Sequence, residues 1–158
     1  MAIGELCTRN VVTIGREATI AQAAARMRQH RVGDLVVVER TNGGRVPVGI
    51  VTDRDVTVEV VALALDPGQA TVGSIAGDRL LTVSEDEGMF EALRAMSERG
   101  VRRAPVIDRD GRLTGIISID DMLTLLAAEL ARIARIARQG PAGGSVRSDD
   151  LFVSELAA

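Results

Sequence analysis

One heptad is written twice in this chain. GIVTDRD occupies Gly49–Asp55 and GIISIDD occupies Gly115–Asp121; each has a glycine, two β-branched residues, a hydroxyl residue and, three positions later, an aspartate. The duplication reaches well beyond the heptad. AIGELCTRNVVTI (Ala2–Ile14) lies on TVGSIAGDRLLTV (Thr71–Val83) at a shift of 69 residues, which pairs Gly4 with Gly73, Leu6 with Ile75 and Thr13 with Thr82. The shift holds through Met27 and Met96 to Val37 and Val106. It falls to 66 at Gly49 and Gly115, because ERTNGGRVPVG is three residues longer than DRDGRLTG. Length variation confined to a turn is what a true repeat tolerates. The chain must therefore fold as two copies of one supersecondary unit.

Each copy has the same coarse pattern. A short strand (Val11–Ile14, or Leu80–Val83) precedes a helix with an apolar face: Ile20, Ala23, Ala24 and Met27 in the first copy, Met89, Ala92, Leu93 and Met96 in the second. Thr19 and Gln22 have the spacing of a capping box. Two strands follow, joined through Asn42-Gly43 or Asp110-Gly111, both strong hairpin signals. A second helix starts at each heptad, giving β-α-β-β-α per copy. A unit of about 60 residues buries too little surface to stand alone. The expected fold is α/β (α+β): two β-α-β-β-α repeats packed about a pseudo-twofold axis, with related clefts where they meet. The expected boundaries are residues 1–69 and 70–139 for the repeats and 140–158 for a flexible tail.

Composition narrows the function classes. Of 158 residues, 46% are hydrophobic and 26% charged, as in globular proteins. Trp and Tyr are absent and the aromatics are Phe90 and Phe152, so a bound base would lie between aliphatic walls. A net charge of −3 gives no general attraction to nucleic acid or anionic lipid. Lone Cys7 excludes an intramolecular disulfide, and no Cys/His spacing suggests zinc. The start MAIGELCTRN lacks a basic and apolar leader, and VEVVALALDP is too short to span a bilayer. A cytoplasmic protein is expected.

The heptad supports two readings. Thr52 and Asp55, like Ser118 and Asp121, have the [ST]-x-x-[DE] spacing of a helix cap, in which the hydroxyl satisfies backbone N–H groups and the acid favours the helix dipole. Alternatively, a hydroxyl at a helix end and a carboxylate one turn later form a site for a nucleoside, the carboxylate accepting the ribose diol. Gly49 and Gly115 stand inside strands, where glycine marks either a close approach by another group or a bulge.

Together with HRVGDLVVV and GVRRAPVID, the doubled heptad and its β-α-β-β-α setting resemble a tandem pair of CBS domains (the Bateman module), of the stand-alone bacterial type. The resemblance spans about residues 2–139. It implies a regulatory module binding AMP, ADP, ATP, S-adenosylmethionine or sometimes NAD in the interdomain clefts, dimerising into a flat disc and passing its signal to a separate effector protein. It also implies ribose contacts from Asp55 and Asp121, ribose or phosphate contacts from Thr52 and Ser118, and phosphate contacts from Arg102 and Arg103. The copies differ here, because Arg102 and Arg103 align with Gly33 and Asp34. An arginine pair can neutralise a phosphate, whereas Asp34 would repel one. The two clefts are therefore expected to be inequivalent.

Other residues carry less. His30 is expected at a solvated helix end, and Cys7, aligned with Ala76, at a small buried position. Asp53 and Asp120 could hold Mg²⁺ on a polyphosphate or simply be solvated first-turn acids. After Asp121, MLTLLAAELARIARIARQG carries Leu123, Leu126, Ala127, Leu130, Ile133 and Ala137 on one stripe and runs on to Gly140-Pro141, suggesting a homodimer contact. LFVSELAA could dock on a neighbour. Catalysis would need a positioned histidine, an activated nucleophile or a metal, so no enzyme is expected. The alternative to a sensor is an adaptor that keeps the fold without binding nucleotide.

Overall fold

The computed structural model describes residues 1–77 and 80–139; the predicted tail, Phe152 and the stop at Gly140-Pro141 lie outside them. Met1–Leu123 forms one compact unit, which holds the strands of both repeats; the second unit starts at Thr124. In the first repeat α1 (Ile3–Leu6) leads to β1 (Thr13–Ile14), α2 (Ile20–His30), β2 (Asp34–Thr41), β3 (Gly44–Thr52) and α3 (Asp53–Asp55). The helix begun by α3 continues in π form over Val56–Val61. In the second, α4 (Val72–Ile75) leads to β4 (Val83–Ser84), α5 (Met89–Arg99), β5 (Arg103–Ile107), β6 (Leu113–Ser118) and the 21-residue α6 (Ile119–Gln139). The predicted β-α-β-β-α order is present in each copy, preceded by a single-turn helix that the periodicity did not announce.

Each repeat builds a three-stranded sheet, β1-β2-β3 or β4-β5-β6, with the first pair parallel and the second antiparallel. The copies agree down to register: Asp34 pairs with Thr52 and Arg103 with Ser118, at equivalent positions. The turn at Asn42-Gly43 closes the first hairpin as predicted. In the second, Gly111 takes φ 78°, the left-handed conformation glycine allows at little cost.

The strand β2 is apolar on both faces because both are covered. Leu35 and Val37 join Ile20, Ala23 and Met27 of α2 in one core. Val36 and Val38 face the other way and pack with Leu113, Ile50 and Ile116 where the two sheets meet. The α2 stripe is narrower than expected, since Ala24 is exposed. Thr19 caps α2 in a complete capping box with Gln22. At the other end, Arg31 takes the left-handed conformation (φ 56°) that Gly100 takes after α5 (φ 62°). His30 is an exposed helix-end residue, as expected.

The repeats are also joined by a reciprocal exchange of their leading segments. Backbone N–H groups of Ile3 and Gly4 donate to the carbonyls of Glu87 and Glu85, and Thr8 forms an antiparallel bridge with Ile116 of β6. Correspondingly, Val72 and Gly73 donate to Ala18 and Arg16, and Val72 is fully buried in the first repeat's core. Each half thus contains a piece of the other, which is why neither could bury its sheet alone.

Candidate nucleoside-binding clefts

The exchange decides what the two heptad glycines are for. Opposite each, the strand pairing slips by one residue: Val37 pairs with Gly49 but Val38 with Pro47, and Val106 pairs with Gly115 but Ile107 with Leu113. A side chain from the other copy's leader sits over each glycine. A Cβ on Gly49 would lie 3.2 Å from the Ala76 methyl, and one on Gly115 would collide with the Cys7 sulfur. Bulge and close approach are therefore both present, and the approaching group belongs to the protein. Cys7 is free and half-buried; burial pushes its thiol above the ordinary value, while Arg9 pulls it down.

The heptads then turn into helices by the same local chemistry. Asp55 N–H donates to Thr52 Oγ1 at 3.1 Å, while Asp55 Oδ2 accepts from the backbone N–H and the hydroxyl of Thr52, each at 2.8 Å. Ser118 and Asp121 repeat the arrangement, with a backbone bond of 2.9 Å to Asp121 Oδ2. Capping is thus real at both sites. It uses one carboxylate oxygen and leaves Oδ1 of each aspartate without a hydrogen-bond partner among the described residues.

Both pairs border hollows related by the repeat. The larger, about 620 Å³, brings Thr52 and Asp55 together with Arg102 and Arg103; Ile50, Leu80, Leu81 and Val101 supply aliphatic walls. Asp53 and Arg54 also border it. The smaller, about 230 Å³, has Ser118 and Asp121 facing Asp34 and Arg103 across Val11, Val12, Val32 and Ile116. Position by position, Leu80, Leu81 and Val101 of one cleft are the counterparts of Val11, Val12 and Val32 of the other. All six site residues named from the sequence border a cleft. Arg54 was not foreseen, because the second heptad has Asp120 at its place and the duplication gave no signal there.

The charged residues depart from a simple pair of open sites. Arg103 Nη1 lies 2.6 Å from Asp34 Oδ1, with 38% and 14% of the side chains exposed. Burial pushes the Asp34 carboxyl above its ordinary value and Asp53 adds to that, while the Arg103 guanidinium holds it down. Arg102 Nη2 stands 3.6 Å from Asp120 Oδ1 in a well-exposed contact. Among the described residues, no group of three or more His, Cys, Asp or Glu is arranged to hold a metal. No helix among them is long and apolar enough to cross a membrane.

Known proteins resemble this chain in sequence and fold. Residues 3–62 and 72–128 each match the CBS domain family. Hypoxic response protein 1 of Mycobacterium tuberculosis is 34% identical over 121 residues, covering 75% of this chain and 80% of the relative. A Methanopyrus kandleri protein is 33% identical over 123 residues, and this chain spans 61% of its length. Among solved structures, hypoxic response protein I with two coordinated zinc ions matches with a TM-score of 0.68 at 31% identity, over 78% of this chain and 98% of that one. A CBS domain pair in complex with 5′-methylthioadenosine and S-adenosyl-L-methionine shares the fold at a TM-score of 0.70 and 23% identity, over 82% and 98% of the two chains. The two matched repeats and a relative at 34% identity make this chain a member of the CBS domain family, with a tandem pair of CBS domains.

Proposed function

We propose that this chain is a cytoplasmic regulatory sensor that binds an adenosine ligand in its clefts and has no catalytic activity of its own. One observation carries the reading. In the 620 Å³ cleft, a helix-capping carboxylate with one oxygen unpartnered among the described residues faces two arginines across aliphatic walls. The carboxylate suits a ribose diol, the walls suit adenine, and Arg102, Arg103 and Arg54 suit a phosphate. AMP, ADP or ATP fits the larger cleft on this basis, with Asp53 available to Mg²⁺ on a polyphosphate. S-adenosylmethionine, which a structural neighbour binds together with 5′-methylthioadenosine, suits the smaller, where carboxylates dominate.

Ligand binding can shift the module only by its differential affinity for two arrangements, and the output passes to a separate effector protein. Homodimerisation would supply the second arrangement. Exposed Leu130, Ile133 and Ile136 on α6 are apolar side chains suited to such an interface. CBS proteins also assemble further, as the hexameric CBS-CP12 protein of bloom-forming cyanobacteria does, at 30% identity and a TM-score of 0.67. The adaptor reading has one observation in its favour: Arg103 already has an internal partner in Asp34.

Thermal unfolding with AMP, ADP, ATP, S-adenosylmethionine, NAD and guanosine nucleotides added singly tests the sensor. At 100 times its dissociation constant a ligand stabilises the native state by about 2.7 kcal/mol. Asp55→Ala should abolish the shift from the larger cleft and Asp121→Ala that from the smaller. No shift with any adenosine compound would leave the adaptor.

A further inference from the structure

Arg103 borders both clefts, whereas Asp34 borders the smaller one alone. The pair between them is mostly buried on the aspartate side. Among the described residues, Arg103 is also the only cation lining the smaller cleft, against two carboxylates, Asp34 and Asp121. Arg103 carries a single positive charge, so a phosphate drawing on it from the larger cleft weakens its compensation of Asp34. Whatever draws it away leaves a largely buried carboxylate uncompensated, which is costly.

We propose that the Asp34–Arg103 pair couples the two clefts, so that a phosphate-bearing ligand in the larger and a cationic adenosyl ligand in the smaller strengthen each other's binding. This rests on the reading of the clefts as adenosine sites. A phosphate that engages Arg103 loosens its hold on Asp34. The sulfonium and ammonium groups of S-adenosylmethionine then restore the balance from the other side. Conversely, a cation placed first against Asp34 frees Arg103 for phosphate; linkage requires the two effects to be equal. A phosphate entering the smaller cleft finds Asp34 and Asp121 and competes for the same arginine, so two phosphorylated ligands oppose each other.

Calorimetric titration of the full chain distinguishes the outcomes. AMP is titrated alone, with saturating S-adenosylmethionine, and with adenosine in its place. The expected result is AMP binding tightened by about tenfold in the presence of S-adenosylmethionine, a coupling of ordinary allosteric size, and not tightened by adenosine, which lacks the cationic groups. In Asp34→Asn, AMP should bind more tightly from the start and gain nothing from S-adenosylmethionine. A cooperative denaturant-unfolding transition in that variant, with the same slope as the wild type, shows that the fold is intact. Equal or weaker AMP binding with S-adenosylmethionine overturns the coupling, as does a gain that persists in Asp34→Asn. Absence of binding by every adenosine compound overturns the adenosine sites and the coupling together; binding without coupling overturns the coupling alone.

Discussion

Arg103 and Asp34 hold the same position in the two repeats and bind each other at 2.6 Å. A residue close to a pseudo-twofold axis meets its own counterpart, so an unchanged duplicate would set like charges together. Opposite charges remove that repulsion, which gives a physical reason for the repeats to differ here. Reversing either charge alone, by Asp34→Arg or Arg103→Asp, should destabilise the chain by about 1–3 kcal/mol, below the cost of breaking a fully buried pair because Arg103 is partly exposed. The double exchange should recover most of the loss. Denaturant unfolding of the four proteins in a double-mutant cycle measures this, and strict additivity would show the pair to be energetically idle.

Asp34 also predicts a pH dependence. Its carboxyl lies above the ordinary value of 3.8 in the folded chain, chiefly through burial. In that window the native state holds a proton that the unfolded state has released. The stability contributed by the protonated form is complete below 3.8 and is lost as pH rises through the folded value. Wild-type stability should therefore fall relative to Asp34→Asn as pH increases from 3.8 upward. Unfolding midpoints of both proteins across that range check the sign, and a wild-type curve that rises against the variant contradicts it.

A different asymmetry follows α2 and α5. Arg31 and Gly100 occupy equivalent helix ends, both with positive φ, but only the glycine lacks the Cβ that makes this conformation costly. Arg31→Gly should stabilise the chain by about 0.5–1 kcal/mol, the relief of strain exceeding the extra entropy of an unfolded glycine. Gly100→Arg should cost a similar amount. Thermal unfolding reads both, and destabilisation by Arg31→Gly would mean that the arginine side chain contributes more than its backbone costs.

What was legible in the sequence was chiefly local. Asn42-Gly43, Thr19 with Gln22, and the hydroxyl–carboxylate spacing of both heptads act within four residues, and their geometry is the expected one. The duplication conveyed the architecture and the inequivalence of Arg103 and Asp34, because both are comparisons within the chain. The exchange of leaders was not legible. Ile3 and Val72 are buried against the opposite repeat, and four-residue helices have no repeating face to betray their destination. Aligning Asp34 with Arg103 set opposite charges at one repeat position. Knowing that they touch required knowing that this position lies beside the axis.

The same exchange makes the heptad glycines a packing device with a measurable consequence. A methyl on Gly115 would collide with Cys7 Sγ and stand 3.1 Å from Cys7 Cβ and 3.2 Å from the Thr8 carbonyl oxygen. Gly115→Ala should therefore cost about 1–3 kcal/mol through overpacking. Gly49→Ala meets only the Ala76 methyl at 3.2 Å and Val37 beyond 3.5 Å, and should cost less. Removing the sulfur with Cys7→Ala gives the second repeat the alanine that already covers Gly49. The Cys7→Ala, Gly115→Ala double variant should therefore recover part of the loss. Full recovery is not expected, because the Thr8 carbonyl belongs to the bridge with Ile116 and cannot retreat without breaking it. Unfolding of the single and double variants tests the order. If Gly115→Ala were as stable as wild type, the leader would not be held against β6 in solution, and the division of the clefts built on it would have to be redrawn.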